Sequence, residues 1–97
     1  MHPQIALQIL SERLPEMKRR FDVDRLSLFG STARGEARPD SDIDLIVEFC
    51  GPATFDNFMG LKLYLEDLLG TRVDLATPRS IRSELKEIVE KDLIRVA

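Results

Sequence analysis

Residues 42–49, Asp-Ile-Asp-Leu-Ile-Val-Glu-Phe, leave the chain the least freedom. Branched apolar residues fill the middle of this run, as expected of a strand covered on both faces. Two acids stand at its start, and Cys50-Gly51-Pro52 ends it. Such a strand must be built into a sheet. The pattern predicts partners at 25–29, a run that stops at Gly30, and at 72–76, with a short edge strand over Leu93-Ile94-Arg95-Val96.

The layers covering the sheet are legible as helices. In residues 3–21, Ala6, Leu10, Leu14, Met17 and Phe21 recur at steps of three and four and share one face. Pro15 either splits this segment, with a helix over 4–13 and a second short one, or sits in a kink. Residues 30–35, Gly-Ser-Thr-Ala-Arg-Gly, predict a turn into a short helix with Ser31 as N-cap. Residues 55–69 predict a helix with Phe55, Phe58, Leu61, Leu65 and Leu68 as its buried stripe, Thr54 as N-cap and Gly70 as C-cap. Thr77-Pro78 opens a final helix whose apolar face is Ile81, Leu85, Ile88 and Val89. The expected fold is therefore a small α/β domain spanning residues 1–97, with a mixed sheet of three to four strands packed with helices. The link between the first two strands is short for a parallel crossover, which favours the mixed sheet.

Composition narrows the class. A chain of 97 residues supports one two-layer core. Its apolar runs are too short to span a membrane, and residues 1–4 do not resemble a signal peptide. Cys50 is the single cysteine, so a reducing cytoplasm is the expected setting. A net charge of −3 with scattered basic residues argues against direct nucleic-acid binding. With His2 the only histidine, at a terminus, Cys–His and Ser–His–Asp chemistry has no base. Cys50 is then expected to be a packing residue.

Three features carry chemistry. Residues two apart on a strand share a face, so Asp42 and Asp44 converge and repel unless a cation lies between them. Hard oxygen donors suit Mg²⁺. Asp74 interrupts the apolar strand Val73-Asp74-Leu75 and joins the same face if the two strands are neighbours. Opposite them, Gly30 lets a ligand approach the backbone, and the helix start at Ser31 offers N–H groups and a hydroxyl to phosphate. A phosphate seat facing carboxylates and metal suits phosphoryl or nucleotidyl transfer. Gly30 and Gly35 have the spacing of a Walker loop, but Glu36 and Ala37 stand where Lys and Ser or Thr are required. Arg34 either steadies the triphosphate or pairs with a carboxylate.

Leu28-Phe29-Gly30-Ser31-Thr32-Ala33-Arg34-Gly35, followed by Ser41-Asp42-Ile43-Asp44-Leu45, resembles the minimal nucleotidyltransferase (MNT) group of the superfamily related to DNA polymerase β. The resemblance extends to Val73-Asp74-Leu75 and Thr77-Pro78. It implies that Gly30 and Ser31 hold the triphosphate of ATP, that Asp42 and Asp44 bind Mg²⁺, and that Asp74 is the third carboxylate. It further implies the antitoxin of a type VII-like toxin–antitoxin pair. Such an antitoxin transfers AMP from ATP to a tyrosine of a HEPN-type ribonuclease toxin encoded nearby and silences it. The length leaves no room for the accessory modules of relatives that modify antibiotics or RNA. Two rival readings stand beside it. One is a binding module that neutralises its partner by covering it. The other is a nucleotidyltransferase acting on a small molecule or an RNA end. A homo-oligomer is compatible with either.

Overall fold

A computed structural model describes residues 3–30, 42–80, 84, 91 and 93–96. The first helix, α1, is unbroken from Pro3 to Phe21 and buries Ala6, Leu10, Leu14 and Met17. Pro15 therefore does not split it. The ring lies on the exposed side of the helix, where the carbonyl that loses its N–H partner one turn earlier remains open to water.

Strand β1 is Val23–Leu28 and β2 is Ile43–Phe49. β1 begins two residues earlier than the sequence pattern suggests, and a bulge is the reason. Val23 and Leu26 are both buried but three positions apart, out of step with the two-residue period of a strand. The register shift between Val23 and Arg25 absorbs the extra residue. Val23, Leu26 and Leu28 then lie on one face, opposite Phe49, Val47 and Leu45 of the antiparallel β2.

Helix α2, Phe55–Leu69, begins where Thr54 Oγ1 accepts the Asn57 N–H at 3.1 Å. It ends at Gly70, which has φ +69° and donates its N–H to the Glu66 carbonyl at 2.9 Å. Leu61, Leu65 and Leu69 are its buried residues. Phe55 is not part of that stripe. It is the first residue of the helix and is 78% exposed. Strand β3, Val73–Ala76, follows and pairs parallel to β2. A short 3₁₀ turn at Pro78–Ser80 comes next, then β4, Ile94–Arg95, antiparallel to β1. The sheet order is β3-β2-β1-β4, a mixed sheet as expected. Ser31, Arg34 and the apolar face of the final helix, Ile81, Leu85, Ile88 and Val89, lie outside the described residues.

Both helices pack on the same face of the sheet. Leu10, Leu14 and Met17 of α1 and Leu61, Leu65 and Leu69 of α2 form one cluster with Leu26, Leu28, Ile43, Leu45, Val47, Val73 and Leu75. Burying side chains of this size contributes about 1.5–3 kcal/mol each. Tyr64 ties α2 to α1: its hydroxyl donates to Glu16 Oε2 at 2.7 Å, and its ring lies 5.6 Å from that of Phe21. The Arg20 guanidinium sits 5.3 Å above the Tyr64 ring and reaches Glu16 at 3.5 Å. Cys50 is exposed rather than packed, because the strand has already ended; its N–H donates to the Asp22 carbonyl at 2.9 Å. Among the described residues, no helix is long and apolar enough to cross a membrane.

Candidate active site

The sheet face away from the helices carries the acids. Alternation along β2 buries Ile43, Leu45 and Val47 against α1 and α2 and turns Asp44, Ile46 and Glu48 to the other side. In β3 the same alternation buries Val73 and Leu75 and leaves Asp74 exposed. The parallel register sets Asp44 directly beside Asp74. Neighbouring strands are about 4.8 Å apart, so the two side chains rise together from adjacent positions. This is the juxtaposition expected of the two strands as neighbours.

Two further contacts fix that register. The Ile43 N–H donates to the Arg72 carbonyl at 2.9 Å, and the Val73 N–H donates to Glu66 Oε2 at 3.0 Å. Glu66 thus holds the first residue of β3 from helix α2, one position before Asp74. Nothing in the sequence marks this role: Glu66 reads as an ordinary charged residue of the helix surface.

Gly30 meets Asp44 from β1. The Phe29 N–H donates to the Asp44 carbonyl at 3.1 Å, which extends the β1–β2 ladder by one residue and brings the following glycine over the Asp44 side chain. Gly30 has φ +60°, and a Cβ built on it would lie 2.8 Å from Asp44 Oδ2. Both facts require glycine: the backbone is left-handed, and the carboxylate occupies the space a side chain would need.

Asp42 is exposed and stands one residue before β2, on the Asp44 side by alternation. Gly30, Asp44 and Asp74 are therefore brought together, with Asp42 at the open end. Among the described residues, no three acidic, histidine or cysteine side chains are gathered tightly enough to cage a metal ion by themselves. Carboxylates without a cation repel. The donor set nonetheless fits Mg²⁺, which commonly takes one or two carboxylates and completes its shell with water and substrate phosphate. The half-buried Asp44 oxygen held against Gly30 is such a donor.

Known proteins resemble the chain along most of its length. The model of the nucleotidyltransferase domain family matches residues 10–96. The protein adenylyltransferase MntA of Thermococcus cleftensis is 40% identical over 88 residues, covering 91% of this chain and 89% of that protein. A solved structure described as a minimal nucleotidyltransferase superposes with a TM-score of 0.80 at 40% identity, covering 97% of this chain and 95% of the other. A toxin–antitoxin structure with AMP-PNP shares the fold, with a TM-score of 0.71 at 24% identity, over 90% of this chain and 72% of that one. With the family model covering nearly the whole chain and the paired acids and glycine in place, the chain belongs to the nucleotidyltransferase domain family, as a minimal nucleotidyltransferase.

Proposed function

We propose that the chain is a cytoplasmic antitoxin that moves AMP from ATP to a tyrosine hydroxyl of a HEPN-type toxin, using Mg²⁺. The observation that carries this reading is the set of Asp44 and Asp74 in register on parallel strands with Gly30 closed over the Asp44 carboxylate. The relatives named as protein adenylyltransferases support a protein acceptor. The toxin–antitoxin neighbours, one of them described as a tri-AMPylated HEPN toxin with its MNT antitoxin, support a HEPN partner.

Asp42 and Asp44 would hold Mg²⁺ with the triphosphate, and Gly30 and Ser31 would receive the phosphate oxygens. Bound there, the metal supplies charge neutralisation at the α-phosphate and the departing pyrophosphate. Asp74, exposed beside Asp44, would accept the proton of the incoming hydroxyl. The hydroxyl oxygen forms a bond to the α-phosphorus, and the bond from that phosphorus to the bridging oxygen breaks. Pyrophosphate leaves, and the proton passes to the carboxylate.

Transfer of labelled AMP to the HEPN-type protein encoded nearby tests the reading. The wild-type chain should label it in the presence of Mg²⁺, and Asp44→Asn should reduce the rate by about 10²–10³-fold, the range for loss of one transition-state electrostatic group. Neutralisation of the toxin by an Asp42→Ala, Asp44→Ala chain as fully as by wild type would show instead that covering the partner suffices.

A further inference from the structure

Arg72 occupies a position that the site described above leaves unused. The Ile43 N–H donates to its carbonyl at 2.9 Å, so the pairing of β2 with β3 reaches back to the residue before β3. The register that sets Asp44 beside Asp74 therefore sets Asp42 beside Arg72. Val73 is buried in the core beneath the helices, so alternation sends Arg72 to the face that carries Asp74. The backbone there is firmly held. In the peptide group between Arg72 and Val73 both polar atoms are bonded, the carbonyl to the Ile43 N–H and the N–H to Glu66 Oε2 at 3.0 Å. The side chain is exposed. Among the described residues it makes no ion pair, although Asp42 and Asp74 flank it.

Asp42, Asp44 and Asp74 gather negative charge at this end of the sheet, and a nucleoside triphosphate brings more. A divalent cation offsets only part of that sum, so a fixed positive group beside the acids favours the bound nucleotide. A guanidinium is planar, always charged, and meets phosphate oxygens with paired donors. Gly30 stands on the β1 side of Asp44 and Arg72 on the β3 side of Asp42. The two flank the acids from opposite directions, separated by two strand spacings, about 10 Å. We propose that Arg72 is a phosphate-binding residue, whose guanidinium takes phosphate oxygens of ATP from the β3 side, opposite the Gly30 turn. The inference rests on the reading of the chain as an ATP-dependent nucleotidyltransferase. It adds a second wall to the phosphate seat, on a strand whose backbone is already fixed, so little ordering is required on binding.

Arg72→Gln, Arg72→Lys and Arg95→Gln decide it. Arg95 is exposed and pairs with Ser27 on the far side of β1, so its loss removes one positive charge from the same face without touching the acids. Kd for ATP with Mg²⁺ is measured by calorimetry, KM for the HEPN-type acceptor by AMP transfer, and folding by circular dichroism melts. Arg72→Gln should weaken ATP binding by about ten- to a hundredfold, the worth of a charge-assisted bond to phosphate. Arg72→Lys should recover part of the loss, having the charge but not the paired donors. Arg95→Gln should stay within about twofold of wild type. An ATP Kd for Arg72→Gln within about twofold of wild type overturns the proposal. A raised acceptor KM with ATP affinity intact assigns Arg72 to the acceptor and also overturns it. Equal losses in Arg72→Gln and Arg95→Gln would show only the general field of the face, and overturn it too. ATP binding that depends on Arg72, with no AMP passed to the HEPN-type protein, leaves this inference standing and removes the assigned acceptor. No ATP binding by the wild-type chain overturns both.

Discussion

Gly30 and Gly70 offer a controlled comparison, because they share a backbone conformation and differ in surroundings. Their φ angles are +60° and +69°. An alanine at either site costs about 1–2 kcal/mol for the left-handed conformation, equivalent to roughly 4–8 °C of melting temperature per kcal/mol in a domain of this size. At Gly70 a Cβ meets nothing within 4 Å. At Gly30 it lies 2.8 Å from Asp44 Oδ2, whereas ordinary contact begins near 3.4 Å. The carboxylate must therefore retreat by about 0.6 Å, 3.4 less 2.8, or the turn must open by as much. A displacement of about 1 Å of a positioned group can cost about 10²-fold in rate. Gly30→Ala and Gly70→Ala should thus melt at similarly lowered temperatures, while Gly30→Ala alone loses about ten- to a hundredfold in turnover. Thermal melts and AMP transfer, assayed well below both midpoints, decide it. Turnover of a folded Gly30→Ala chain within about twofold of Gly70→Ala would refute the placement of the Asp44 carboxylate beneath Gly30 as the reason for that glycine.

Three further substitutions probe other parts of the argument. Glu66→Ala leaves the Val73 N–H without its acceptor, so β3 should loosen and turnover should fall, with hydrogen exchange at Val73 and Asp74 increasing; an unchanged rate and exchange would remove Glu66 from the positioning of Asp74. Leu65→Ala, at a fully buried site, should cost about 2–5 kcal/mol by denaturant unfolding, a large share of the stability of a small domain. Tyr64→Phe should lower the melting temperature at neutral pH and lose that effect in acid. The Tyr64 hydroxyl is the main influence holding Glu16 below its ordinary pKa, with Arg20 and Arg13 adding and partial burial opposing. A depressed carboxylate stabilises the fold above its unfolded pKa and ceases to do so as pH falls through the folded value. The gap between the two melting curves should therefore hold above about pH 4.5 and close at lower pH, as Glu16 is protonated in the folded chain, and a gap unchanged well below that range would show that it does not arise from the ionised Glu16.

The sheet and its site were largely legible because period-two alternation and isolated acids are local signals. Ile43 and Leu45 against Asp42 and Asp44 already define two faces, and Asp74 between Val73 and Leu75 repeats the pattern. Once β2 and β3 are parallel neighbours, the meeting of Asp44 and Asp74 follows from register. Caps were equally local: Thr54 and Gly70 terminate α2 where the sequence places them. Errors arose where a residue's fate depended on distant structure. Phe55 has the helical spacing of the buried stripe, yet as the first residue of α2 it is left exposed. Val23 was hidden from the strand pattern because a bulge is a two-strand property. Pro15 is tolerated inside α1 because its side of the helix faces solvent, a matter of packing rather than of propensity.

Pro78 shows how one residue serves two readings. As Thr77-Pro78 it resembles a helix start, and a 3₁₀ turn does begin there. Its second consequence needs the sheet: the N–H missing at residue 78, which in this register would reach the Val47 carbonyl, leaves the β2–β3 ladder open beyond Ile46 and Ala76. Restoring the donor tests whether that opening is intrinsic. In Pro78→Ala the ladder can gain the bond from residue 78 to the Val47 carbonyl, worth about 0.5–1.5 kcal/mol. A Pro→Ala change also gives the unfolded chain more freedom, at a cost of about 0.4–1 kcal/mol. The two effects nearly cancel, so stability should change little. Amide exchange at residue 78 should be slow in the folded variant, its protection marking the added bond. An amide at residue 78 that exchanges as freely as an unstructured one would mean that the proline does not by itself end the ladder.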